Sequence, residues 1–110
     1  MRLTEANFNG INNGAKTFEI RLLDEKRQAI KVGDQIALVH ADDPSRKIEV
    51  VVVGLQTAPS FLELFNKVEV VQAGWPIGTT LEQAAHDMAT YYPPEEQAEH
   101  QVVAIEIEKI

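Results

Sequence analysis

The chain has 110 residues, the usual length of one domain, and 45% of them are hydrophobic, so one core can form. It contains no cysteine, which excludes disulfides, thiolate nucleophiles and thiolate metal sites and fits a reducing compartment. No segment approaches the ~20 apolar residues of a membrane-spanning helix, and residues 1–10 lack the apolar run of a signal peptide. We therefore expect a cytoplasmic protein that does not enter the membrane.

The net charge of −7 is distributed unevenly along the chain. Residues 1–53 carry eight basic and eight acidic residues, whereas residues 54–110 carry two basic and nine acidic residues. Because the second half repels polyanions, any surface that binds nucleic acid is expected on the first half. The alternative is that the acidic half serves solubility alone.

The first half of the chain is predicted to form one helix followed by three strands. The helix covers residues 4–13 and ends at Asn and Gly residues that tolerate a left-handed backbone. The strands are assigned to residues 17–22, 35–40 and 47–55. The first of them alternates and is expected to be half-buried. The third is rich in β-branched residues and is expected to be central and buried on both faces. Charged or tight turns at 24–27 and 31–34 separate the first two strands.

The second half of the chain is predicted to contribute two helices and the last strand. Ser60 and Thr79 each precede a glutamate by three residues, as in a capping box, so each is expected to start a helix. The second helix has an apolar stripe formed by Leu81, Ala85, Met88 and Tyr92. A helical turn follows at 95–100, a strand closes the chain at 102–110, and a further strand is possible at 68–71. This order favours an α+β fold built on a small, mostly antiparallel β-barrel with flanking helices.

The candidate functional site lies on the first predicted strand. Glu19 and Arg21 are two residues apart, so their side chains share one face, and Lys16 precedes them beside Gly14. An arginine fork and a lysine ammonium bind phosphate or carboxylate groups, and Glu19 can orient the cations, accept from a base amino group or act as a general base. The alternative is an ordinary ion pair on a solvated strand face.

Other candidate residues have equally ordinary alternatives. Lys26 and Arg27 either extend a basic rim for a phosphate backbone or form a charged hairpin tip. Trp75 either stacks on a base or anchors its loop, and Tyr91 can line a cleft with its hydroxyl group, while Tyr92 is expected in the core. The three histidines have no metal-ligand spacing, and no cofactor-binding motif is present, so neither a metal nor a cofactor is expected.

The segment from Gly14 to Arg21 resembles the signature of the ASCH domain family, G-x-K-x-x-E-x-R, with Lys16 and Glu19 at its inner positions. The resemblance extends over nearly the whole chain, so that residues 1–110 are interpreted as one ASCH-type domain. It implies a barrel related to the PUA fold, with a cleft floored by Lys16, Glu19 and Arg21. It also implies a module that binds RNA, a nucleoside or a nucleotide, while the oligomeric state stays open.

Two enzymatic functions are the alternatives, and the resemblance implies the first of them. Some related proteins resemble amidohydrolases that remove the acetyl group from acetylcytidine, in which case Lys16 and Glu19 would be catalytic. Those proteins have a threonine at the position of Glu19 and a glutamate in the region where this chain has residues 75–79, which contain no carboxylate. A ribonuclease is the second alternative, and it would require a further acid or base.

Overall fold

Five strands form one sheet in the computed structural model, which describes residues 1–110. The strands are β1 (Arg2–Leu3), β2 (Phe18–Leu22), β3 (Gln35–His40), β4 (Lys47–Ala58) and β5 (Val102–Lys109). Their order in the sheet is β1-β3-β4-β5-β2, and every pair is antiparallel except β1 with β3. The sheet curls into a half-barrel whose edges are β1 and β2. The predicted α+β class with a PUA-like barrel is confirmed, and the barrel is open between β1 and β2.

Five helices flank the sheet, and four of them begin at a side chain that caps the helix. They are α1 (Glu5–Asn12), α2 (Glu25–Gln28), α3 (Phe61–Leu64), α4 (Leu81–Tyr91) and α5 (Pro94–His100). The caps are Thr4, Asp24, Ser60 and Thr80, each accepting a hydrogen bond from the backbone N–H three residues later. None of these helices combines the length and the apolar character needed to cross a bilayer.

The core has two parts, one on each side of the sheet. Helices α3 and α4 pack on β2 and β5 around Phe61 and Leu64, both of which are fully buried. Helix α1 covers the other side through Phe8 and Ile11. Strand β5 contributes to both parts, with Val102 and Ala104 on one face and with Val103, Ile105 and Ile107 on the other. Strand β5 is therefore covered by the core on both faces.

Several sequence predictions are corrected by these coordinates. The strand buried on both faces is β5 and not β4, because α3 and α4 cover only the end of β4 and leave Lys47 and Glu49 exposed. Residues 68–71 form turns, since the amides of Ala73 and Gly74 bond to carbonyls three or four residues earlier and not to a strand. The turn at 24–27 is partly helical, as α2.

The capping hydrogen bonds of α3 and α4 also differ from the predicted capping boxes. The capping box of α4 pairs Thr80 with Gln83, one residue later than the predicted pair. Thr80 Oγ1 accepts from the Gln83 amide, and Gln83 Oε1 accepts in turn from the Thr80 amide. Ser60 caps α3 as predicted, but only its own half of the box is formed, with its hydroxyl accepting from the Glu63 amide. The short parallel strand β1 was not predicted, since two residues carry no periodicity.

Candidate functional site

A cleft of about 600 Å³ opens where the two edge strands of the half-barrel approach each other. Strand β1, strand β2, the segment 73–75 and helix α4 form its walls. The residues that line it are Arg2, Leu3, Thr4, Asn7, Lys16, Glu19, Ile20, Arg21, Ala73, Gly74, Trp75, Asp87, Met88, Thr90 and Tyr91. A volume of this size is typical of sites for small ligands.

Lys16 is buried beneath the cleft and is held by two polar partners. Its ammonium donates to Asn7 Oδ1 at 2.9 Å and to Glu19 Oε1 at 3.3 Å. The backbone of segment 73–75 reaches the lysine closely at Gly74, where φ is +112°. A Cβ at Gly74 would lie 3.1 Å from Lys16 Cδ, so only glycine fits there without displacing the lysine stem.

The environment of Lys16 changes its protonation equilibrium. Burial lowers the pKa of Lys16 from its ordinary value of 10.5, because desolvation disfavours the ammonium form. The nearby Glu19 carboxylate opposes this change in the pKa, whereas the positive charge of Arg21 adds to it. Lys16 therefore loses its proton more readily than an exposed lysine does.

Glu19 lies between the two cations and is only 4% exposed. Its Oε1 atom accepts from Lys16 Nζ and from the amide of Ile20 at 3.2 Å, whereas Oε2 has no hydrogen-bond partner. The nearest cation to Oε2 is the Arg21 guanidinium, with Nη2 at 3.8 Å. The expectation of a half-buried strand with a solvated face is wrong here, because the sheet curls and that face contacts Lys16, held by Asn7 of α1, and the Arg2 carbonyl of β1.

Arg21 joins the two edges of the sheet. Its Nη2 atom donates to the carbonyl of Arg2 at 3.0 Å, which connects β2 to β1 across the gap that backbone hydrogen bonds leave open. The Arg21 side chain is 19% exposed. Because a guanidinium has five N–H donors, Arg21 keeps donors for a ligand while it holds the strands together.

Aromatic side chains form one wall of the cleft. The Trp75 indole donates to Asp87 Oδ2 on α4 at 2.9 Å and packs edge to face on Phe65, with ring centroids 5.3 Å apart. Trp75 is thus anchored and also lines the cleft, so the two interpretations of its role are compatible. Tyr91 lines the same cleft and is 74% exposed. Tyr92 packs on Phe61 in a half-buried position at the edge of the core.

The remaining predicted residues lie elsewhere. Lys26 and Arg27 are on α2 and do not line the cleft. Arg27 pairs with Asp24 at 2.9 Å, while Lys26 is exposed. The structure thus brings together Lys16, Glu19, Arg21 and Tyr91 at the cleft, and leaves Lys26 and Arg27 outside it.

Sequence reasoning missed two residues that shape the site. Asn7 lies on α1 and accepts a hydrogen bond from Lys16 through Oδ1, while its side-chain Nδ2 donates to Thr4 Oγ1 at 3.1 Å. Asp87 holds Trp75 from α4. The only available signal was weak, since an asparagine inside a short helix and an aspartate on a polar helix face are both common. No three histidine, aspartate or glutamate side chains are close enough to bind a metal ion.

The curled, mostly antiparallel sheet with flanking helices and an open edge defines an α+β domain of the PUA-like kind. Comparison with protein families agrees with this class, because the model of the ASCH domain matches residues 1–110. The chain belongs to the ASCH domain family, as the resemblance in the sequence implied.

Two solved structures are similar to this chain over its whole length. One is the crystal structure of hypothetical protein PH0355, which is 34% identical, with a TM-score of 0.83 and with 100% of this chain and 96% of that chain covered. The other is the solution NMR structure of protein PF0455 from Pyrococcus furiosus, which is 30% identical, with a TM-score of 0.70 and coverage of 100% and 98%. A comparison with curated proteins gives no match.

Proposed function

We propose that the cleft binds one nucleotide unit, either free or as part of single-stranded RNA. The observation that carries the proposal is the buried Glu19 Oε2, an unpartnered carboxylate oxygen between Lys16 and Arg21 at the base of a cleft of about 600 Å³. Buried polar atoms without a partner are rare in folded proteins, and a ligand that donates an N–H group can complete this one. Nucleobases present such donors on their edges.

The other parts of the cleft fit the same class of ligand. The three basic residues Arg2, Lys16 and Arg21 outnumber the two acidic residues, Glu19 and Asp87, so the cleft is net positive within a negative chain. Phosphate groups bind well to arginine forks. The aromatic wall offers a stacking surface for a base, which does not depend on the base identity.

The test measures binding with the only tryptophan of the chain as the probe. Trp75 lies in the wall of the cleft, so its fluorescence is expected to change when a nucleotide or a short single-stranded RNA is titrated. Arg21→Gln removes one of the two arginines of the cleft and is expected to weaken binding about 10-fold or more, since hydrogen bonds to charged groups contribute ~1.5–3 kcal/mol.

Arg46→Gln is the matched control. It makes the same chemical change at an arginine that does not line the cleft and that lies over the Phe8 ring on the other side of α1. The proposal fails if neither ligand binds, or if both variants weaken binding equally. Lys26→Ala and Arg27→Ala, tested in the same way, decide whether α2 extends the binding surface for longer RNA.

A hydrolase that acts on an acylated nucleoside is the second candidate, and the lowered pKa of Lys16 favours it. A neutral Lys16 amine beside Glu19 can act as a base. However, Glu19 already uses Oε1 for two hydrogen bonds, and Gly74 occupies the other side of the lysine, so no second carboxylate adjoins it. Incubation with N4-acetylcytidine separates the candidates, because release of cytidine that is lost in Lys16→Met supports the hydrolase.

A ribonuclease is the weaker alternative, since the one further carboxylate at the cleft, that of Asp87, is bonded to Trp75. Incubation of a labelled RNA oligomer with the protein tests it directly. Cleavage that requires both Glu19 and Asp87 would replace the binding proposal.

A further inference from the structure

A second cavity, of about 500 Å³, adjoins the cleft on the far side of Trp75. It is lined by Pro76, Thr79, Glu82, Gln83 and His86, and it shares Trp75 and Asp87 with the cleft. The two residues that both cavities share, Trp75 and Asp87, are joined by the hydrogen bond from Trp75 Nε1 to Asp87 Oδ2. Trp75 is thus a lining residue of both.

We propose that this second cavity is a subsite for the neighbouring base of a single-stranded oligonucleotide whose first nucleotide occupies the cleft. This inference rests on the proposed function of the cleft. The shared Trp75 wall keeps the two cavities within reach of one ligand, and an indole is a favourable stacking surface for successive bases.

The charges of the two cavities differ in sign, and this difference fixes which part of the ligand each one accepts. Asp87 lines both cavities. The cleft also contains Arg2 and Arg21, whereas the second cavity adds the carboxylate of Glu82 and contains no arginine or lysine. Phosphate is repelled by the carboxylates and stays on the arginine side. The uncharged base is the part of a nucleotide that can enter the acidic cavity.

The same carboxylates give the subsite a preference among bases. The Glu82 side chain forms no hydrogen bond or ion pair, and the Asp87 side chain uses only Oδ2, so carboxylate oxygens are free to accept at the cavity. Carboxylates accept hydrogen bonds from the exocyclic amino groups of bases. Adenine presents two N–H donors on its exocyclic amino group and uracil presents only the ring N3–H, so the subsite is expected to favour adenine over uracil.

The experiment compares ligands that differ by one nucleoside. Adenosine 3′,5′-bisphosphate and the dinucleotide pApA both carry two phosphates, but pApA adds a ribose and converts the 3′-monoester into a diester. The uridine pair undergoes the same two changes, so the difference between the gains of the two pairs measures the second base. We expect pApA to bind roughly 5- to 100-fold more tightly, which is the range for one stacked base. The corresponding gain for pUpU over uridine 3′,5′-bisphosphate is expected to be smaller.

Glu82→Gln is the informative variant, and Glu95→Gln is its matched control. Both glutamates are exposed and lie in the first turn of a helix, so the two variants change net charge and helix-terminal electrostatics alike. Glu82→Gln is expected to reduce the gain for pApA and to leave the affinity for adenosine 3′,5′-bisphosphate unchanged. Glu95→Gln is expected to change neither.

The outcomes separate the subsite from the cleft. If the bisphosphate binds but pApA binds no more tightly, or if the gain survives unchanged in Glu82→Gln, the subsite is refuted while the proposed function stands. If neither ligand binds, the proposed function fails and the subsite fails with it. A gain for pApA that is lost selectively in Glu82→Gln supports both.

Discussion

The buried pair formed by Lys16 and Glu19 allows a quantitative test of how the site is held. Lys16 Nζ and Glu19 Oε1 are 3.3 Å apart, and both side chains are 5% exposed. At that distance the Coulomb attraction is roughly 5 kcal/mol for an effective dielectric constant of about 20. Desolvation of both groups offsets much of it, so the pair contributes little net stability although each partner depends on the other.

Lys16→Met is expected to lower the free energy of unfolding by ~3–5 kcal/mol, because it leaves the Glu19 carboxylate buried without its cation. The double variant Lys16→Met/Glu19→Gln removes both charges and keeps an amide oxygen that can accept from the Ile20 amide. We expect the double variant to be less destabilised than Lys16→Met alone. Urea unfolding of the wild type, both single variants and the double variant gives the coupling free energy.

The pair between Arg27 and Asp24 is the control for burial. Its atoms are closer, at 2.9 Å, but its side chains are 19% and 34% exposed. Arg27→Met is therefore expected to cost at most ~1 kcal/mol. If the costs at Lys16 and Glu19 simply add in the double variant, or if Arg27→Met costs as much as Lys16→Met, the assignment of a coupled buried pair is refuted.

Three further predictions concern the surroundings of this pair. Because burial lowers the pKa of Lys16 in the folded state, the unfolded chain binds more protons than the folded chain between that pKa and 10.5. The free energy of unfolding should therefore rise with pH across this window. Urea unfolding at a series of pH values measures the rise, which should be absent in Lys16→Met. Gly74→Ala should destabilise the fold by ~1–3 kcal/mol, more than Gly78→Ala, since both have positive φ but only the former meets Lys16; thermal unfolding of the two variants compares them. Asp87→Ala should cost ~0.5–1.5 kcal/mol and shift the Trp75 emission to longer wavelengths, and an unchanged spectrum would contradict the indole hydrogen bond.

Local patterns predicted most of the secondary structure. The alternation in residues 17–22 and 102–110 corresponds to β2 and β5, and the predicted Ser60 cap marks the start of α3. These signals are local, because a cap or an alternating pattern is set by residues only a few positions apart. The elements predicted from these signals are therefore present in the folded chain.

Features that depend on distant residues were not predictable in this way. Burial on both faces of a strand depends on which helices cover it, and the β-branched run in β4 gave no information on where α3 and α4 would pack. The run at 68–71 has strand-forming residues, but Gly74 lets the chain turn back, and local hydrogen bonds satisfy the backbone there instead.

The residues of the candidate site also fall into a predictable group and an unpredictable group. Lys16, Glu19 and Arg21 lie within six consecutive residues, so the spacing along one strand was enough to place them near one another. Asn7 and Asp87 reach the cleft from α1 and α4, and the chain folds those helices against it through contacts that no short motif encodes.

Closure of the half-barrel accounts for only part of the buried charge at the floor of the cleft. Arg21 bridges β2 and β1 where the backbone ladder is interrupted, and Glu19 lies beside it with one oxygen unpartnered. A buried ion pair is weak evidence for stability, since apolar residues of similar volume often serve as well or better. Charges placed at the floor of a cleft, with a carboxylate oxygen left without a donor, are therefore better explained by recognition of a ligand than by a need to hold the sheet together, and this supports the proposed binding of a nucleotide.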